Sequence, residues 1–119
     1  MRTLVDANVI LRYLRDDNGE AANQAEAILS GRPFLLPEVL CEVVYVLEGV
    51  YGASRGEVRD TLREFLELVE TDAREVLRES LGLYAEFPKL DFVDCILLAR
   101  HRLDGDGVAT FDKPLRKRL

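Results

Sequence analysis

Arg2-Thr3-Leu4-Val5-Asp6-Ala7-Asn8-Val9-Ile10-Leu11 decides how this chain is read, because it sets a carboxylate at the seam between two apolar segments. Thr3-Leu4-Val5 suits a short buried strand, and Val9-Ile10-Leu11 with Tyr13-Leu14 suits the helix that follows. Asp6 is then expected at the carboxyl end of a strand. In an open α/β sheet that edge is where ligands bind, since side chains there face a crevice instead of the core.

Working outward, strand and helix signals alternate. Asp16-Asp17-Asn18-Gly19 reads as a turn, with Asp17 and Glu20 spaced as a capping box, and the helix that follows is ended by Gly31. Pro33-Phe34-Leu35-Leu36-Pro37 predicts a buried second strand, and Glu38 to about Val50 a third helix. Ser54 with Glu57 opens a helix to about Leu66, Leu68-Val69 is a weak strand signal, and Asp72 with Glu75 opens a helix that Pro88 stops. Leu90 to Ala99 begins the next helix with Asp91 and Asp94 in its first turn. Val108-Ala109-Thr110 predicts a final short strand, with Asp112 just past it. Such alternation argues for a parallel sheet covered on both faces, an α/β architecture.

With 119 residues the chain is one domain by size, spanning 1–119. A net charge of −6 argues against binding nucleic acid through bulk charge, but not at a site where bound cations reverse the local sign. No apolar run approaches the roughly 20 residues that cross a bilayer, and Asp6 interrupts any signal-peptide pattern, so a cytoplasmic protein with no membrane association is expected. Cys41 and Cys95 lie far apart in apolar runs without metal-ligand spacing, and read as free thiols. The lone His101 reads as a surface or packing residue, not a base. Arg55, Arg59 and Arg63 share a helix face, read as solvated, with an RNA-facing stripe as the sharper alternative. Arg116-Lys117-Arg118 reads as a solvated terminus.

The acids carry the chemistry. Asp6 and Asp112 each have an explanation as helix N-caps, and Asp91 with Asp94 as a cap and a first-turn residue. Glu42 does not fit that pattern: it is the only charge between Val39 and Leu47, and an isolated buried carboxylate needs a partner. Acids converging on one sheet edge repel one another unless a divalent cation lies between them. Carboxylate oxygens without histidine or thiolate select a hard ion, Mg²⁺ or Mn²⁺, which activates water and stabilises charge on a phosphodiester.

The order Leu-Val-Asp6-Ala-Asn8, then Glu42 followed by Val-Val-Tyr-Val-Leu, then Asp91-Phe-Val-Asp94-Cys-Ile-Leu-Leu-Ala, then Val-Ala-Thr110-Phe-Asp112 resembles the PIN-domain nucleases, most closely VapC-type toxins of toxin–antitoxin pairs. The resemblance covers nearly the whole chain. It implies a three-layer α/β/α sandwich with a short central parallel sheet. It also implies a metal site and catalytic centre of Asp6, Glu42, Asp94 and Asp112, supported by Asn8, Thr110 and Asp91. The implied activity is that of a Mg²⁺- or Mn²⁺-dependent endoribonuclease acting on RNA, a homodimer inhibited by an antitoxin whose tail enters the acidic groove. Members continue past the last acid into another strand, whereas Leu119 follows soon after Pro114, so the last edge strand is expected to be missing.

Two other resemblances fit less well. A phosphoacceptor receiver domain, a signalling module binding Mg²⁺ at an acidic pocket, shares the length and acidity, and Lys113-Pro114 resembles its lysine; its paired acids after the first strand are here the single Asp6 of Asp6-Ala7-Asn8. A haloacid-dehalogenase-type phosphatase needs a second acid where Asn8 stands. A non-enzymatic PIN fold kept for binding predicts a missing acid, and none is missing.

Overall fold

The computed structural model describes residues 1–15 and 19–119. Asp16, Asp17 and Asn18 of the expected turn, and with them the Asp17 cap, lie outside the described residues. Seven α-helices are present among the described residues: α1 (Ala7–Arg15), α2 (Glu20–Ser30), α3 (Pro37–Gly49), α4 (Arg55–Phe65), α5 (Arg74–Glu86), α6 (Phe92–Asp104) and the short α7 (Lys113–Arg116). A 3₁₀ turn, Leu66–Leu68, follows α4.

The predicted sheet is reduced to two isolated parallel bridges, Leu4 with Phe34 and Phe34 with Glu70. Phe34 is the middle partner. Its N–H donates to Thr3 O at 2.7 Å, and its carbonyl accepts from Val5 N at 3.1 Å. On the other side Leu35 N donates to Glu70 O at 2.8 Å and Glu70 N to Pro33 O at 2.9 Å. The pairing cannot lengthen, because Pro33 has no N–H, Pro37 already begins α3, and α1 begins at Ala7. Val108-Ala109-Thr110 forms no bridge among the described residues, correcting the expected final strand. Its polar groups are satisfied locally: Thr110 Oγ1 accepts from Asp112 N at 3.0 Å and Thr110 O from Arg116 Nη2 at 2.8 Å. Helices dominate, and of the expected central parallel sheet the described residues form only these two bridges.

Burial follows the same correction. Val5 and Leu35 are buried, but Leu4 is 52% exposed, so only one side of the first segment meets the core. The core is helical, built around Ile10, Leu40, Val43, Leu62, Phe65, Leu77, Leu81, Tyr84, Leu98 and Cys95. α5 packs against α4 and α6, α3 bridges α1, α4 and α6, and Tyr84 meets Phe92 edge-on at 5.9 Å. Leu115 is buried and ties α7 to this core.

Local signals explain the helix limits well. Ser54 and Glu57 form a reciprocal capping box, Glu57 N to Ser54 Oγ at 3.2 Å and Ser54 N to Glu57 Oε1 at 3.0 Å. Gly31 caps α2, and α5 ends before Pro88. The expected Asp72 cap is not made: α5 starts at Arg74 with Ala73 at the cap position and no side-chain cap, while Thr71 Oγ1 accepts from Ala73 N.

The arginine face of α4 is divided: Arg55 is drawn into the fold, while Arg59 and Arg63 stay partly exposed. Arg55 Nη1 donates to the carbonyls of Tyr84 at 2.9 Å, Phe87 at 3.2 Å and Leu90 at 2.6 Å. Its guanidinium lies 4.1 Å from the Tyr84 ring centroid and 3.6 Å from Glu48, which also accepts from the Tyr84 hydroxyl at 2.6 Å. Arg63 donates to Arg78 O, and Arg59 pairs with Asp60 at 2.8 Å.

Candidate functional site

The two parallel bridges matter most for what leaves them. Because the segments at Leu4 and Phe34 run the same way, Asp6 with α1 and Leu36 with α3 emerge at one edge. Asp6 Oδ1 accepts from Val9 N at 3.1 Å, so it caps α1. Asp91 Oδ1 accepts from Asp94 N at 2.8 Å and Asp94 Oδ2 from Asp91 N at 3.3 Å, a reciprocal box opening α6. Asp112 Oδ2 accepts from Leu115 N at 3.2 Å and caps α7. Capping uses one oxygen of each carboxylate. The other remains for a second task, so a cap does not exclude a ligand role.

Charge gathers at the start of α6. Burial lifts the Asp94 carboxyl above its ordinary value, and the negative charges of Asp91 and Asp112 lift it further against the amide bond from Asp91 that lowers it. Cys41, on α3, is raised by burial first and then by Asp91 and Glu38, which sets the start of α3 beside the start of α6. Asp91, Asp94 and Asp112 therefore stand within electrostatic reach of one another. Neither Asp6 nor Glu42 is among the groups acting on Asp94.

Glu42 corrects the sequence reading most directly. It lies in the second turn of α3, but it is exposed, so the argument from a buried unpaired carboxylate does not hold. Among the described residues its carboxylate takes no hydrogen bond or ion pair. Asn8 is likewise exposed, in the first turn of α1. Thr110 does support an acid, since its hydroxyl holds the Asp112 amide. His101 Nδ1 lies 2.8 Å from Asp106 O, across the left-handed Gly105 that ends α6, and serves that turn. Cys41 and Cys95 are free thiols, with Cys95 pushed up to about 12 by burial.

Arg55 is the residue that sequence reasoning misjudged. Its bond to Leu90 O fixes the residue immediately before Asp91, and so positions the acid corner. The signal was present in the sequence: a cation at the first position of a helix opposes the helix dipole, and needs a compensating partner elsewhere.

The donors in this corner are carboxylate oxygens backed by one hydroxyl, which in kind suit a hard divalent cation. Among the described residues, no three acid, histidine or cysteine side chains stand close enough to hold one ion. A family model described as PIN domain matches residues 3–118. The chain belongs to the PIN-domain family. PIN domains are nucleases, generally dependent on divalent metals such as Mg²⁺, and act on RNA or DNA. No curated protein and no solved structure matches the chain. The PIN match gives the receiver-domain alternative no support. No helix among the described residues is long and apolar enough to cross a membrane.

Proposed function

We propose that residues 1–119 act as a single PIN unit, a metal-dependent endoribonuclease and the toxin of a cytoplasmic toxin–antitoxin pair. The mutual repulsion between Asp94 and both Asp91 and Asp112, which joins two segments distant in sequence, is the observation that carries this reading, in a chain whose family match spans 3–118. Asp6, Glu42, Asp94 and Asp112 would hold Mg²⁺ or Mn²⁺; Asp6, Glu42 and Asp112 are exposed. When bound, such an ion supplies an activated water and neutralises charge on the phosphodiester. Thr110 holds Asp112 in place through its amide, and Asp91 fixes the first turn of α6 beneath Asp94. Asn8, two residues after Asp6, is assigned a supporting contact. RNA as substrate, homodimerisation and control by an antitoxin tail entering the acidic groove follow from the likeness of the Asp6, Glu42, Asp94 and Asp112 segments to VapC-type toxins.

The test is cleavage of single-stranded RNA with Mn²⁺ by wild type, Asp6→Asn and Glu42→Gln, with circular dichroism on each. Both variants are expected to stay folded and lose cleavage. Full activity in both would end the metal-site reading.

A further inference from the structure

A second charged feature lies directly beside the acid corner, with the opposite sign. Lys89, Lys113, Lys117 and Arg118 line a cavity of about 440 Å³ together with Phe87 and Leu90. Glu86 is the one acid on its wall, and none of the four cations forms an ion pair among the described residues. In a chain of net charge −6 this is a local reversal of sign. Arg116-Lys117-Arg118 is therefore more than the solvated terminus expected from sequence, because buried Leu115 pins α7 and presents Lys117 and Arg118 to the cavity.

Phe87 organises the cations. The Arg118 guanidinium lies 4.3 Å from its ring centroid and that of Arg102 5.8 Å. A guanidinium stacked on a ring keeps its N–H edge available while losing little further freedom on binding an anion. The cavity also abuts both acids: Lys89 and Leu90 precede Asp91, and Lys113 follows Asp112.

We propose that this cavity binds backbone phosphates of a single-stranded RNA whose neighbouring phosphodiester reaches the Asp91–Asp94–Asp112 corner; the identity of the strand as substrate rests on the nuclease reading above. The volume suits a nucleotide-sized group, not a duplex. A strand carries a phosphate at each step, so one molecule can occupy the cations and continue to the acids. An acidic peptide offers the acid corner no phosphodiester to act on.

The experiment measures anisotropy of a short fluorescein-labelled single-stranded oligoribonucleotide in EDTA, where binding is read apart from cleavage. Lys117→Gln with Arg118→Gln is expected to weaken binding about tenfold and to reduce the slope of log affinity against log salt by about two. Phe87→Leu, which keeps the apolar body but removes the ring face, should weaken it less. Arg12→Gln with Arg59→Gln changes the net charge equally at distant exposed or paired sites, and should leave affinity unchanged. Equal weakening in both doubles would overturn the proposal in favour of bulk charge. Unchanged affinity in the cavity double would overturn it outright, as would equally tight binding of labelled poly-glutamate and the oligoribonucleotide by wild type. Wild type that binds RNA through the cavity but never cuts it with Mn²⁺ upholds the cavity and sinks the nuclease reading instead.

Discussion

Arg55 donates to the carbonyl of Leu90 at 2.6 Å, one residue ahead of Asp91, so a cation at the start of α4 sets where α6 begins. Its side chain is 20% exposed and serves three carbonyls, a ring and Glu48 at once. Arg55→Leu removes three hydrogen bonds to carbonyls and the ion pair with Glu48, and is expected to destabilise the fold by on the order of 3 kcal/mol in urea unfolding. Arg55→Lys should recover only part, because an ammonium cannot reproduce the planar fork. A loss below about 0.5 kcal/mol for the leucine variant would refute the positioning role.

Asp94 makes a prediction about pH. Its carboxyl is raised by burial and by Asp91 and Asp112, so the folded chain holds that proton more tightly than the unfolded one. Its contribution to stability is fully present below the ordinary value of 3.8 and is lost as pH rises through the raised folded value. In EDTA at neutral pH, Asp94→Asn, whose oxygen still accepts from the Asp91 amide, should be more stable than wild type. That advantage should shrink as the pH falls toward 3.8, followed by urea midpoints across pH. An asparagine variant less stable at neutral pH would contradict the crowding.

Metal should reverse that ordering. If the proposed site binds it, Mn²⁺ at a hundred times its dissociation constant is expected to stabilise wild type by about 2.7 kcal/mol, since the unfolded chain keeps these segments apart. Thermal unfolding should show the rise in wild type, its removal by EDTA, and little or none in Glu42→Gln. An identical rise in wild type and the Glu42 variant would place the ion elsewhere.

Gly82 tests the α4–α5 contact. A Cβ built there comes 2.5 Å from Arg63 Nη2, the far end of a side chain that donates to Arg78 O. Gly82→Ala gains about 1 kcal/mol of helix propensity but must push Arg63 aside, so the net change should be close to zero. In an Arg63→Ala background the same substitution should stabilise by about the full amount. Denaturant unfolding of the four proteins gives the cycle; an equal gain in both backgrounds would show that Arg63 is not displaced.

Much of this molecule was determined by local sequence. Ser54 with Glu57, Asp91 with Asp94, Gly31 and Pro88 set helix ends within a few residues of chemistry that each carries alone, so those limits were legible. The order of the acids also named the family, which the match over 3–118 bears out. Tertiary structure alone decided the rest. Whether Thr3-Leu4-Val5 and Val108-Ala109-Thr110 pair depends on backbone partners distant in sequence; among the described residues Leu4 pairs with Phe34, and the second segment forms no bridge. Whether Glu42 is buried depends on which helix face meets the core, and the apolar residues around it did not reveal that it points outward. The grouping of Asp94 with Asp112, and of Arg118 with Phe87, joins segments that only the packing of α5, α6 and α7 brings together.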